Sequence, residues 1–191
     1  MGMLILGLVL FLGVHSTRIV ADGWRTAMIG RLGELPWKGL YALLSIAGFV
    51  LLLWGFGLAR QQPVLLWSPP AAMRHVAALL TLPAFVLLAA TYVPRNAIKA
   101  RLHHPMVLAV KVWAFAHLLA NGTLAHAVLF GSFLVWAALS FRAARARDRA
   151  TRTNYPVGTA SGTAITVVVG TLAWAGFAFW GHLALIGVRP L

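Results

Sequence analysis

Cysteine is absent from this chain of 191 residues. No disulfide and no thiolate chemistry is open to it, and cysteine usage says nothing of its redox compartment. Carboxylates are nearly absent as well: Asp22, Glu34 and Asp148 are the three acidic residues. A site for a hard cation, which wants carboxylate oxygens, is therefore excluded. A Ser-His-Asp arrangement is excluded too. Ser16 adjoins His15, but neighbours one position apart diverge on a helix, and the acid nearest to them in sequence is Asp22. No glycine loop that would cradle phosphate precedes a helix, so nucleotide use is not indicated. Charge of either sign is scarce, at 10% of residues against roughly 25% in a soluble domain.

Long apolar runs take up the space that a soluble domain would use. They lack the 3.6-residue stripe of a half-buried helix, so the fold class is all-α, a polytopic bundle of six transmembrane helices forming a single domain over 1–191. The expected spans are 2–21, 37–58, 71–93, 105–120, 124–141 and 158–188. Most are near the ~20 residues that cross a ~30 Å hydrocarbon layer; the fourth and fifth are shorter. The first is expected to be a retained span and not a cleaved signal, because no Lys or Arg precedes it and no small-x-small site follows it. Pro83 lies inside the third. Pro105 sits at the first turn of the fourth, where its missing N–H is harmless. Asn121-Gly122 is a turn dipeptide that makes the fourth and fifth spans a tight hairpin. Gly158 and Gly162 form a GxxxG, expected to pack closely against a neighbouring helix.

The net charge of +13 does not point to nucleic acid, because the cations fall between the apolar runs. Of sixteen Lys and Arg, all but Arg60, Arg74 and Arg189 lie at the first, third and fifth connections. The positive-inside rule then puts both termini outside the cytoplasm of a bacterial inner membrane, with anionic headgroups as partners of the basic loops. The run from Arg142 to Arg152 is expected to be a lipid-facing loop. A membrane protein partner or a second copy is the other expected contact.

Seven histidines remain. His103 and His104 are expected to be solvated at the basic surface, with His104 capping the fourth span. His75, His126 and His182 fall near headgroup depth at the opposite side. His117 is embedded, with no acid at its depth, and shares a face with Ala109, Trp113, Ala116, Ala120 and Asn121. It is either a ligand or catalytic residue beside which a flat group can approach, or a histidine bonded to backbone. His15 shares a face with Arg18, Asp22 and Arg25. It is either stabilised by Asp22, or a metal ligand with Arg18 and Arg25 ready to pair with carboxylates. Two embedded imidazoles without thiolate or carboxylate fit haem iron better than zinc, although upright helices leave them about 8 Å apart in depth.

The stretches VHSTRIVADGWR, GELPWKGLYALLSIAGF, HHPMVLAVKVWAFAHLLANGTL and LFGSFLVWA resemble the NnrU family of bacterial membrane proteins over nearly the whole chain. The HPM-x9-AH-x3-NG pattern carries most of the likeness. The resemblance implies a link to denitrification and nitric oxide metabolism. The family is in turn similar to the plant zeta-carotene isomerases, which hold haem b between two histidines. That similarity implies His15 and His117 as axial ligands of haem b, with Trp113 in the matching motif; Arg18 and Arg25 would supply the basic groups at the rim. The isomerases' cysteine, implicated there in a redox-dependent ligand exchange, falls at Ala114. The same switch is not expected here. The functions in view are a haem protein with a redox, gas-linked or isomerase-like role, a non-enzymatic subunit or assembly factor of a respiratory complex, and a channel, for which lining polar residues are too few.

Overall fold

The structure, a computed structural model, describes residues 1–190 and is helical almost throughout. The elements are α1 (Gly2–Val20), α2 (Asp22–Leu32), α3 (Glu34–Ala59), α4 (Met73–Tyr92), α5 (Ala97–Leu102), α6 (Pro105–Ala120), α7 (Leu124–Thr151), α8 (Ala160–Gly176), a π-helical turn (Phe177–Gly181) and α9 (His182–Ile186). Five stretches are long and apolar enough to cross a membrane: α1, α3, α4, α7 and α8 run on through α9. The sixth expected span, α6, is apolar but only 16 residues long. Apolar side chains such as Val9, Leu43, Leu79 and Leu172 stand outward and exposed, as a lipid-facing surface requires.

The helices lie side by side in the order α3, α1, α7, α6, α4, α8. Glycine sets the closest approach in this row. A Cβ on Gly7 would run into the backbone at Leu52, one on Gly48 would meet Phe11 N at 2.7 Å, and one on Gly55 would strike the backbone at Leu4. With no side chain between them, α1 and α3 bring their backbones together along three turns, the small-residue mode of membrane helices. The buried centre joins Leu4 and Leu8 of α1, Leu52 of α3, Ala114 of α6, and Leu129 and Phe130 of α7.

Polar residues stop and turn the chain. Asn96 is 2% exposed. It accepts from Lys99 N and donates to Ala90 O and Val93 O, tying the end of α4 to the start of α5. Pro105 opens α6 at its first turn. Gly122 closes it: its carbonyl accepts from Leu66 N and Trp67 N, and a Cβ there would collide with Trp67 O. Only glycine lets the 63–67 segment of the loop lie against the α6–α7 turn. Gly158 and Gly162 pack against Ala97 and against the carbonyls of Pro94 and Arg95, so the GxxxG seals the N-terminus of α8 onto α5 and its preceding loop.

Three local expectations are corrected. The Arg142–Arg152 run is not a loop; it continues α7 to Thr151, because its alanines and arginines are strong helix formers. Nor is His104 a side-chain cap of α6. His103 and His104 are not freely solvated: their side chains are 24% and 25% exposed and converge on Asp148, whose carboxylate is 12% exposed.

A candidate ligand cavity walled by α4, α6 and α8

The cavity of about 520 Å³ between α4, α6 and the C-terminal helices is wide enough for a small-molecule ligand. Its space comes from alanines where larger residues would fill the gap: Ala78, Ala84 and Ala109 face it. Trp174 is fixed across it by donating from Nε1 to Thr81 Oγ1 at 3.1 Å. The π-helical turn supplies Phe177 and delivers His182 to the same wall. Such turns add a residue per helical winding and commonly mark functional sites.

His117 enters from α6. Its Nδ1 lies 2.8 Å from Trp113 O. A carbonyl only accepts, so Nδ1 carries the proton and Nε2 is left as a lone pair. The ring is held between Trp113, with centroids 5.1 Å apart, and Phe130 of α7, at 4.5 Å and tilted by 30°. Asn121 Nδ2 then bonds His117 O at 2.9 Å, closing the helix end beneath it. His182 repeats the arrangement: Nδ1 lies 2.6 Å from Val188 O, which fixes the same tautomer. Among the described residues neither Nε2 has a hydrogen-bond partner, and both residues line the cavity. Arg74 and Arg189 line the same cavity at the end where α4 begins. The arrangement offers two imidazole rings, apolar walls, and two guanidinium groups at one end.

His15 lies on the far side of α7. Its Nδ1 bonds Phe11 O at 2.7 Å, so its Nε2 is likewise a lone pair. Its ring neighbours are Phe11, Tyr41 of α3 and Trp136 of α7. With Arg18 and Arg25 it lines a second cavity of about 360 Å³. Of the residues singled out in the sequence, the fold brings His15, Arg18 and Arg25 together, and His117 with Trp113. It does not bring the two sets into one cavity. Phe133 packs between them, 5.9 Å from Phe11 and 5.6 Å from Trp113 by ring centroids. The α7 residues that touch the two histidines, Trp136 and Phe130, are six positions apart, about 9 Å of helical rise. Asp22 reaches Arg25, at 3.9 Å, and not His15.

His126 and His75 are bonded locally. His126 Nδ1 bonds Thr123 Oγ1 at 2.6 Å, and His75 Nε2 lies 3.4 Å from Arg74 Nε. Among the described residues no group of three or more His, Asp and Glu converges in a way that would hold a metal ion.

The model of the NnrU protein family matches residues 3–190. The chain belongs to the NnrU family. No curated protein and no solved structure matches it. Within this NnrU chain, the residues that sequence reasoning left out of the main site are His182, Arg74 and Trp174. One signal for His182 was available: counted from the helix ends, it and His117 fall in the same half of the bundle, whereas His15 falls in the other.

Proposed function

We propose that this protein is a multi-pass protein of a bacterial inner membrane that holds haem b in the cavity between α4, α6 and α8, with His117 as an axial ligand. One observation carries the reading: an imidazole with its Nδ1 proton committed to backbone and its Nε2 lone pair free opens on an apolar cavity with arginines at one end. A histidine whose other nitrogen donates to a carbonyl is oriented and made more basic for ligation. The residues fit the group at this cavity. Alanines and Trp113 form an apolar slot, and Arg74 and Arg189 suit two carboxylates. When bound, haem would supply redox or gas-binding chemistry set by its axial ligands. The protein's part is to hold the imidazole, exclude water with Trp113, Phe85 and Phe177, and neutralise the acid groups. The role is then redox-linked, tied to nitric oxide or denitrification, or isomerase-like on an apolar substrate.

The second axial position has two claimants. The family likeness favours His15; sharing of one cavity favours His182. Absorption spectra of the protein purified in mild detergent, from cells supplied with a haem precursor, separate them. His117→Ala is expected to abolish or strongly weaken the Soret band. His182→Ala is expected to shift the spectrum toward a five-coordinate form, and His15→Ala to leave it unchanged. A wild-type protein with no Soret band, or a band indifferent to His117→Ala, removes the haem reading. A shift with His15→Ala and none with His182→Ala restores the pairing of His15 with His117 and requires α7 to move.

A further inference from the structure

The second cavity, where α1 ends, α2 crosses and α3 begins, has a chemistry unlike the first. Its polar lining is cationic: Arg18, Arg25 and Lys38, with Glu34 as the one carboxylate. Glu34 is already committed. Lys38 Nζ lies 2.7 Å from its Oε1, and that hydrogen bond and charge hold the carboxyl below its usual range. Arg25 has only Asp22 at 3.9 Å, a distance at which an exposed pair contributes little. Among the described residues no carboxylate approaches the Arg18 guanidinium, and the Tyr41 hydroxyl, also in the lining, has no hydrogen-bond partner. Two forked donors and a phenol thus line about 360 Å³ whose one carboxylate, Glu34, is already held by Lys38.

The surroundings set the depth of this cavity. Trp24 of α2 and Trp37 of α3 meet edge to face at 5.7 Å beside it, and paired tryptophans occupy the headgroup level of a membrane. α2 buries none of its residues against the rest of the molecule, so it lies as a cover along the rim with its apolar Ile29 turned to the same cavity.

We infer that this cavity binds a phosphate-bearing anion, with the Arg18 and Arg25 guanidinium groups forked on the phosphate oxygens, the Tyr41 hydroxyl donating to a further oxygen, and Trp37 and Ile29 against the apolar part. Planar guanidinium matches phosphate geometry in two bonds at once, and at this depth the phosphate group at hand is that of an anionic lipid. Free phosphate shares the chemistry without the apolar part.

Titration of the detergent-solubilised full chain with phosphatidylglycerol, phosphatidylcholine and inorganic phosphate, read by tryptophan fluorescence, tests this. Phosphatidylglycerol is expected to bind at least about tenfold more tightly than phosphatidylcholine, the order expected of charge-assisted bonds. The double variant Arg18→Gln, Arg25→Gln is expected to erase that preference, while Arg31→Gln, a surface cation of α2 outside the cavity, keeps it. Tyr41→Phe is expected to weaken binding by a smaller factor and serves if the double variant does not fold. Saturable binding of inorganic phosphate that depends on both arginines assigns the site to the free anion and supports the same chemistry. Equal binding of the two lipids, or a preference that survives both the arginine and tyrosine variants, overturns it. So does a double variant that loses haem while keeping lipid selectivity, which would give the cavity to the cofactor.

Discussion

Asp148 gathers on one oxygen the ring of His104 at 2.9 Å, the Tyr155 hydroxyl at 3.1 Å, Arg145 at 3.4 Å and His103 at 3.5 Å. Burial by itself pushes this carboxyl up, but the His104 hydrogen bond and charge, followed by Tyr155 and Arg145, carry it below its ordinary value. The cluster ties the α5–α6 turn to the charged extension of α7. His103 pays for the turn with φ 71, a left-handed backbone that is strained for a side chain of this size. A carboxyl lowered in the folded state adds stability above its ordinary titration range, and that stability is lost as pH falls through the folded value. Asp148→Asn is therefore expected to melt below wild type at pH 7, by about 1–3 kcal/mol for the lost charged hydrogen bonds. The two melting curves should converge on acidification below about pH 4. Parallel curves at every pH would show that Asp148's charge is not what holds the turn. None of this was visible in the sequence, where Asp148 stood inside a run of arginines; its partners come from 44 positions away and from Tyr155 beyond the helix end.

Among the helices, the α1–α3 pair is the most tightly built, and its logic is the absence of side chains. Gly7, Gly48 and Gly55 each put backbone against backbone, where even one methyl would force the helices apart. Gly55→Leu is expected to lower the melting temperature more than Gly57→Leu on the same helix, since Gly57 has open space around it. Overpacking of this kind costs about 1–3 kcal/mol or more. Equal effects of the two substitutions, measured by thermal melting in detergent, would deny the close contact. Gly122→Ala is a second case: its Cβ would meet Trp67 O, so the 60–72 loop is expected to become sensitive to limited proteolysis while the helices remain. Unchanged cleavage would show that the loop does not depend on that contact. Helix existence was legible in the apolar runs, and the 121–122 turn in its dipeptide. The α1–α3 seam was not, because Gly48 and Gly55 are seven apart and one glycine of the three lies on the partner helix. The short α2 and α5 were missed for another reason. They lack apolar runs, and what makes them helices is capping and local propensity: Asn96 for α5, and Asp22 in the first turn with Arg31 in the last for α2.

Across the molecule, charge and helix ends agree. The ends of α1, α4 and α7 and the starts of α3, α6 and α8 meet at one side, where Arg147 donates to Arg18 O, Thr159 N to Arg95 O, and His104 meets Asp148. At the other side the 60–72 loop pairs with Gly122 and Leu124, and Arg60 donates to Ile186 O. That alternation was readable from the sixteen cations alone, whereas the pairing of cavity walls was not, because lateral order in a row of helices leaves no periodicity in the chain. The row places α7 between α1 and α6 and so separates the two histidines that resemblance had joined. It also bears on α6. At 16 residues it rises about 24 Å, short of a ~30 Å hydrocarbon layer, and a helix that short crosses only where the bilayer thins or polar flanks draw the surface in. Asn121 at one end and His103 and His104 at the other are such flanks. If α6 crosses, the crossings number six and the two termini face the same side, away from the cytoplasm, because the cation-rich end stays inside. Fusion of a reporter active only outside the cytoplasm to the C-terminus is expected to be active, and the same reporter inserted after Arg149 is expected to be silent. A silent C-terminal fusion together with an active one near Arg149 would invert the orientation. If insertions on both sides of α6, after Arg101 and after Asn121, report the same side, α6 does not cross, and the His117 cavity opens at the surface instead of within the layer.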